Sequence, residues 1–238
     1  MTTCPAHKPL RWGRFGAATG LFFVLATIIG NEMANSGDAH GDTAATALAN
    51  IRRAHSLTNH LGLWLEMLGF LAFILFASYL YRVLRRAEGS DGWLASAALI
   101  AAAADLAVKL GSGASLIAAN YHPDTLTPDL ARTLVDLNDA AFIIAGLTMA
   151  AFALTVAASA YASRSLPRTL AWIGLVIGTL GLVTPILGFT DPSNYNPLPY
   201  LGALLWIAAV SIARIVTDTR SRREATQQHE PMAVAVPR

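Results

Sequence analysis

The sequence has few charged residues. Of its 238 residues only 13% are charged, 54% are hydrophobic, and the mean hydropathy is +0.47. Because a soluble domain carries about 25% charged residues, this chain lacks the polar groups needed to cover a globular surface. The formal net charge of +2 is too small to indicate nucleic-acid binding, so no nucleic-acid partner is expected.

Cysteine and cofactor motifs are also scarce. The single cysteine, Cys4, excludes an internal disulfide, and its neighbours do not form a lipobox, so it is expected to be a free thiol. The sequence contains no dinucleotide fingerprint, no P-loop and no haem-attachment motif. No cofactor is therefore expected.

The sequence favours a protein that is not an enzyme. The stretch "GSGAS" at residues 111–115 places serines in an apolar segment, but a serine nucleophile needs a base such as histidine within reach. His60 is the only histidine near an apolar run, and it lies at the rim. The histidines at 40, 55, 60 and 122 form no close ligand pair, so no metal site is expected.

Six long apolar runs are present instead. A bilayer-spanning helix needs roughly 20 apolar residues, and the candidates are Phe15–Gly30, His60–Tyr81, Trp93–Ala118, Asp139–Tyr161, Leu170–Phe189 and Leu198–Val216. The first run follows three basic residues, as in a signal peptide, but it is longer than a usual signal core, and we expect it to be retained. The runs predict an all-α polytopic membrane protein, a bundle of six transmembrane helices.

Basic residues predict the orientation of this bundle. Thirteen Lys and Arg residues fall in the N-terminal segment, the second and fourth polar connections and the C-terminal tail, against three in the other connections. By the positive-inside rule, both termini are cytoplasmic. The expected organisation is a cytoplasmic segment (1–14), a six-helix transmembrane domain (15–216) and a disordered, basic cytoplasmic tail (217–238).

Two helix starts are predicted in the outer connections. Residues 43–55 can form an amphipathic surface helix behind an Asp42 cap. In "TPDLARTL", Thr127 suits an N-cap and Pro128 suits the first helical position. The fourth span is therefore expected to extend beyond the membrane on its outer side.

Three stretches carry a family resemblance: "GRFGAATGLFFVLATIIG" in the first span, "ASYLYRVLRR" at the end of the second and "SLPRTLAWIGLVIGTLGLV" at the start of the fifth. They resemble a broad bacterial family of six-span integral membrane proteins known only as a domain of unknown function, over roughly residues 10–216. The resemblance implies six spans and a bacterial inner-membrane location. It supplies no activity and no catalytic residues.

The third span contains two charges within "AAAADLAVKLGSGASL". Asp105 and Lys109 are four residues apart and project from one side of the helix, and Ser112 continues that face. A charge at the bilayer centre costs about 2.5–3.5 kcal/mol on insertion scales. We therefore expect this face to point into protein or water, away from lipid.

Other polar groups fall in the same half of the membrane. Glu66 lies on a stripe of the second span, roughly 10 Å below its outer end, and Asp139 lies at the outer edge of the fourth. Pro185 frees a backbone carbonyl in the fifth span near the same level. The sequence predicts a polar, outward-open cavity among spans two to five, lined by Glu66, Asp105, Lys109 and Asp139, with Ser112 beside them.

Two functions remain open. The first is a transporter-like or ligand-binding membrane protein whose small-molecule or ion ligand is unknown. The second is a structural or regulatory membrane protein in which a buried cluster of Glu66, Asp105 and Lys109 only fixes helix packing. Ser112, Ser115, Thr148 and Thr155 are expected to make local or interhelical hydrogen bonds. Gly174 and Gly178 form a GxxxG pair for close packing, either inside the chain or in a homodimer.

Overall fold

The computed structural model describes residues 12–34, 43–189 and 191–229. These ranges contain a single-turn 3-10 helix, Pro192–Asn194, and the α-helices α1 Gly13–Ala34, α2 Ala44–Ala54, α3 Leu57–Glu88, α4 Trp93–Tyr121, α5 Pro128–Ser163, α6 Arg168–Val183, α7 Pro185–Gly188 and α8 Leu198–His229.

Six helical segments are long and apolar enough to cross a membrane. They are α1, α3, α4, α5, the combined segment Arg168–Gly188 and the first part of α8, Leu198–Thr219. No strand occurs in the described ranges. The prediction of an all-α protein with six membrane spans is confirmed.

The predicted helix starts are present in the structure. Thr127 accepts a hydrogen bond from the backbone N–H of Leu130 (3.3 Å), and α5 begins with Pro128, as expected. Helix α2 also forms, but its N-cap is Thr43, whose hydroxyl accepts from the N–H of Thr46 (3.2 Å). The predicted cap, Asp42, lies outside the described residues.

Helix α2 marks one end of the bundle, here called the α2 end. Asn59, in the first turn of α3, donates from Nδ2 to the carbonyl of Ala34 at the end of α1 (2.8 Å). Arg52 of α2 donates to the carbonyls of Pro123 and Asp124, just after α4 (3.2 and 3.4 Å). The α2 end therefore gathers the ends of α1 and α4 and the start of α3.

The opposite end, here called the far end, holds a hydrogen-bonded network. Tyr79 of α3 donates to Asp218 (3.2 Å) and accepts from Arg214 (3.2 Å), both on α8. Arg214 and Asp218 also form an ion pair at 3.4 Å. Since Gly16, near the start of α1, packs on Tyr79, the start of α1 and the end of the last span lie at the same end of the bundle.

The core is aromatic where α1, α3 and α5 meet. The fully buried rings of Phe23 and Phe73 stack with centroids 4.5 Å apart, and Phe152 packs edge-on against Phe73 at 5.3 Å. Many large apolar side chains on the outside are exposed, among them Leu71, Ile100 and Leu205. This is the distribution expected when lipid covers the outer surface, because lipid chains are as apolar as leucine.

Glycines allow α1 and α3 to approach closely beside the predicted site. A Cβ on Gly30 would lie 2.8 Å from the carbonyl oxygen of Gly62, and one on Gly62 would lie 2.7 Å from that of Gly30. The same Gly30 Cβ would be 3.1 Å from Glu66 Cβ. This contact brings the end of the first span next to Glu66.

The fifth span is interrupted at Pro185, the residue expected to free a backbone carbonyl there. Proline has no N–H to continue the helix, so α6 ends at Val183 and α7 adds a single further turn. The segment that follows brings the Tyr195 ring against Phe142, with centroids 5.7 Å apart. Tyr195 lies outside the spans, and its burial raises its pKa to about 12, so the phenol is neutral at ordinary pH.

The last helix extends beyond the sixth span into the residues expected to form the cytoplasmic tail, 217–238. Helix α8 continues as far as His229. Residues 203–229 contain neither glycine nor proline, so nothing in them interrupts a helix once the membrane span has nucleated it. The expected disorder of residues 230–238 lies outside the described residues.

Candidate functional site

The polar face of α4 points into the bundle. Asp105, Lys109 and Ser112 have 1%, 8% and 9% of their surface exposed, which places all three away from lipid, as the cost of a charge in lipid requires. The opposite side of α4 is exposed and consists mostly of alanine and leucine. That side suits lipid, so the polar face points inward. The burial of two charges makes this face the most unusual part of the helix.

Asp105 is held by α5. Thr148 donates to Asp105 Oδ1 at 3.0 Å and lies within 3.1 Å of the carbonyl of Ala145 on its own helix. The predicted interhelical role of Thr148 is therefore confirmed. The carboxylate of Asp105 does not reach the cavity described below.

Lys109 lies against aromatic rings. Its Nζ is 4.4 Å from the ring centroid of Phe142 on α5 and 5.0 Å from that of Tyr200 on α8. Among the described residues, neither Glu66 nor Asp105 forms a direct ion pair with it. The ring faces and the electrostatic attraction of the two carboxylates thus stabilise an ammonium that has lost most of its water.

A cavity of about 230 Å³ opens beside Lys109 at the α2 end. Four helices line it, and its lining residues are Asn31 and Ala34 of α1, Leu63, Glu66, Met67 and Phe70 of α3, Lys109, Ser112, Gly113 and Leu116 of α4, and Val135, Asn138, Asp139 and Phe142 of α5. The cavity, referred to below as the polar cavity, contains two carboxylates, one ammonium and two side-chain amides.

The structure brings together four of the five predicted site residues. Glu66, Lys109, Ser112 and Asp139 line the polar cavity, whereas Asp105 lies one helical turn deeper, on Thr148. The predicted location among spans two to five needs correction. The first span contributes a wall and the fifth contributes none, because the glycine contact of α1 with α3 brings the end of α1 to Glu66.

Sequence reasoning missed three residues of this region. Phe142 follows Asn138 and Asp139 at helical spacing, so the stripe on α5 could have revealed it. Asn31 falls just beyond the first apolar run, which ends at Gly30, so hydropathy alone does not place it in the helix. Tyr200 carries no local signal, since nothing in the sequence indicates that α8 packs near Lys109.

The hydroxyls on α4 serve the helix itself. Ser112 Oγ donates to the carbonyl of Lys109 (3.3 Å), and Ser115 Oγ donates to the carbonyl of Ser112 (2.7 Å). These are the local hydrogen bonds that the sequence predicts. Both hydroxyls therefore act as internal donors to the backbone of α4.

The GxxxG pair of the fifth span packs inside the chain. A Cβ on Gly174 would lie 2.6 Å from the Trp206 ring of α8, and one on Gly178 would lie 2.8 Å from Leu154 Cβ of α5. Both glycines are buried. A homodimer would therefore need a different surface.

Fold and site together define a multi-pass helical membrane protein with an ionisable cavity inside its bundle. The chain belongs to the family described as a domain of unknown function, DUF4386, whose model matches residues 18–217. No curated protein and no solved structure matches the chain. The family match confirms the resemblance seen in the sequence and covers all six spans except the first residues of α1 and the last residues of α8.

Proposed function

We propose that this protein binds a small polar ligand in the polar cavity, as a transporter-like or ligand-binding protein of the cell membrane. The observation that carries the proposal is the convergence of Glu66, Lys109 and Asp139 from three helices on one open space. Its volume of about 230 Å³ exceeds the roughly 30 Å³ that one water occupies in the liquid. It is smaller than the roughly 300 Å³ at which drug-sized pockets begin, so a small ligand or a head group fits best.

The proposed orientation places the α2 end outside the cell and both termini in the cytoplasm. Its support is the distribution of basic residues: Arg82, Arg85 and Arg86 precede the α3–α4 connection at the far end, and further arginines follow α5 and lie along α8. Among the described residues, the arginines at the α2 end are Arg52, Arg53 and Arg132. An outward α2 end makes the polar cavity accessible from outside.

The second candidate is a structural or regulatory membrane protein. Two observations favour it: Thr148 already binds Asp105, and two aromatic rings already contact Lys109. In such a protein the charges would fix the packing of α4 against α5 and α8, and partners such as a second copy of the chain would bind elsewhere. The cavity would then be dry and without a ligand.

Cysteine labelling tests access and orientation together. In a Cys4→Ser background, single cysteines are placed at Ser112 in the cavity, Asp124 after α4, Ser90 in the connection between α3 and α4, and the fully buried Ser211. Intact cells are treated with a membrane-impermeant thiol reagent. We expect labelling at 112 and 124 and none at 90 or 211 until the membrane is opened, when only 90 becomes reactive.

The competing outcomes are distinct. Labelling of the cysteine at 90 from outside would overturn the orientation. If the cysteine at 112 stays unlabelled in folded protein while the one at 124 reacts, the cavity is closed to water from outside and the structural candidate is supported. The cysteine at 211 controls for unfolded protein, because only unfolding exposes it.

A further inference from the structure

A second, smaller cavity of about 120 Å³ lies between α1 and α8. Its lining residues are Thr27, Ile28, Asn31, Glu32, Glu66, Lys109, Phe142, Tyr200, Leu201 and Leu204. We call it the lateral crevice. Four of these residues also line the polar cavity: Asn31, Glu66, Lys109 and Phe142. The two spaces therefore share one wall, which contains both a carboxylate and the buried ammonium.

Two residues that line the lateral crevice carry buried hydroxyls without partners among the described residues. The hydroxyls of Thr27 and Tyr200 are buried, with 5% and 4% of each residue exposed, and neither has a hydrogen-bond partner among the described residues. Buried hydroxyls are nearly always hydrogen-bonded in native proteins. Thr27 and Tyr200 line the crevice together with Lys109, so three side chains with donor groups belong to its wall, which suits an anionic oxygen of a ligand.

The rim of the lateral crevice and the polar cavity, which lie on either side of these donors, differ in polarity. At the rim of the lateral crevice, Ile28 and Leu201 are 41% and 45% exposed on the outside of the bundle, where lipid lies. In the polar cavity, Asp139 joins Glu66 as a second carboxylate. Glu32 also lies at the crevice, but it is exposed, so water screens its charge.

A ligand that follows this path meets apolar side chains first, then donors, then carboxylates. We propose that the site takes an amphiphile with a zwitterionic head group, whose anionic group lies next to its hydrocarbon chain and whose ammonium is terminal. The anion contacts Lys109, Thr27 and Tyr200, the ammonium enters the polar cavity toward Glu66 and Asp139, and the chain leaves between α1 and α8 into the bilayer. The two small cavities hold the head group only.

This inference rests on the proposed function and specifies its ligand class. It is tested with the full chain in a maltoside detergent, by thermal stabilisation and native mass spectrometry. The main probe is lysophosphatidylethanolamine. The comparison probes are lysophosphatidic acid, which lacks the ammonium, dodecylamine, which lacks the anion, and glycerophosphoethanolamine, which lacks the chain.

We expect lysophosphatidylethanolamine to bind at least tenfold more tightly than each comparison probe. Thr27→Val and Tyr200→Phe should each weaken its binding several-fold, because each removes a donor to the anion. Tyr195→Phe is the matched control, since Tyr195 also packs on Phe142 but does not line the crevice, and it should leave the affinity unchanged.

Other outcomes overturn the inference. If glycerophosphoethanolamine binds as tightly as the chain-bearing probe, the ligand is a small polar molecule, so the lateral crevice has no role while the proposed function stands. Equal binding of lysophosphatidic acid or dodecylamine excludes a zwitterionic head group. If no probe binds while the cysteine at 112 is labelled from outside, the ligand class is wrong although the cavity is open.

Discussion

The two ends of the bundle differ in whether their buried polar groups have partners. At the far end, the Tyr79 hydroxyl both donates and accepts, and Arg214 and Asp218 pair directly. At the α2 end, the Tyr200 hydroxyl has no partner among the described residues, and Lys109 contacts rings in place of a carboxylate. Both ends join helices that are far apart in sequence, but among the described residues Tyr79, Arg214 and Asp218 satisfy one another, whereas the Tyr200 hydroxyl has no partner.

This contrast distinguishes a polar cluster that only supports helix packing from one that can bind a ligand. A satisfied polar network stabilises helix contacts and leaves nothing for a ligand to bind. Unsatisfied buried donors cost free energy in the empty protein, and a ligand that supplies the missing acceptor recovers it. The far end therefore serves as an internal reference for a purely structural polar cluster.

The largest expected effect comes from Lys109→Met. It leaves the carboxylates of Glu66 and Asp105 without their buried counter-charge, which should lower the free energy of unfolding by about 3–5 kcal/mol. The reference at the far end is Arg214→Met, whose partner Asp218 is partly exposed and can be solvated, so the loss should be roughly 1–2 kcal/mol. Chemical unfolding in mixed micelles measures both.

The triple variant Glu66→Gln, Asp105→Leu, Lys109→Met sharpens this result. With all three charges removed, most of the stability should return, because no charge remains uncompensated. If the cluster only fixes packing, any cellular phenotype returns to normal as well. Recovery of stability without recovery of ligand binding indicates a working site, and a triple variant as unstable as Lys109→Met would contradict the charge argument itself.

The next effect concerns the contact that brings α1 to the polar cavity. Gly62→Ala introduces a methyl group 2.7 Å from the carbonyl of Gly30, and overpacking of this kind costs about 1–3 kcal/mol. Gly111→Ala is the matched control on α4, because nothing lies within 4 Å of its Cβ position. There alanine should stabilise the helix by up to about 1 kcal/mol. Equal thermal shifts for the two variants would refute the close approach of α1 and α3.

The smallest expected effect on stability comes from replacing a tyrosine by phenylalanine at each end of the bundle. Tyr79→Phe removes a hydroxyl that makes two hydrogen bonds and should cost about 1–2 kcal/mol. Tyr200→Phe removes a hydroxyl that makes none among the described residues and should be neutral or slightly stabilising. The difference in free energy of unfolding between the variants measures the contrast directly. A loss at Tyr200 equal to that at Tyr79 would mean that the α2 end is also internally satisfied.

Much of the site could be predicted from helical periodicity. The spacing of Asp105, Lys109 and Ser112 places them on one face, and the cost of exposing charge to lipid requires that face to point inward. The spacing of these residues does not identify which side chains from other helices pack against them. Phe142 and Tyr200 contact Lys109 from helices that follow it by 33 and 91 residues, and no local pattern relates such distant positions.

The sequence by itself determined the six spans, the interior face of α4, the Thr127 cap and the break at Pro185, because each depends on hydropathy, periodicity or backbone chemistry within a few residues. The tertiary structure decided that span one, and not span five, forms a wall of the polar cavity, and that Asp105 binds Thr148 below it. It also decided that Tyr200 lies beside Lys109 with a hydroxyl that has no partner in the described part of the chain. These features depend on which helices are neighbours, and that choice follows from close contacts such as Gly30 with Gly62, whose steric fit exists only once both helices have formed.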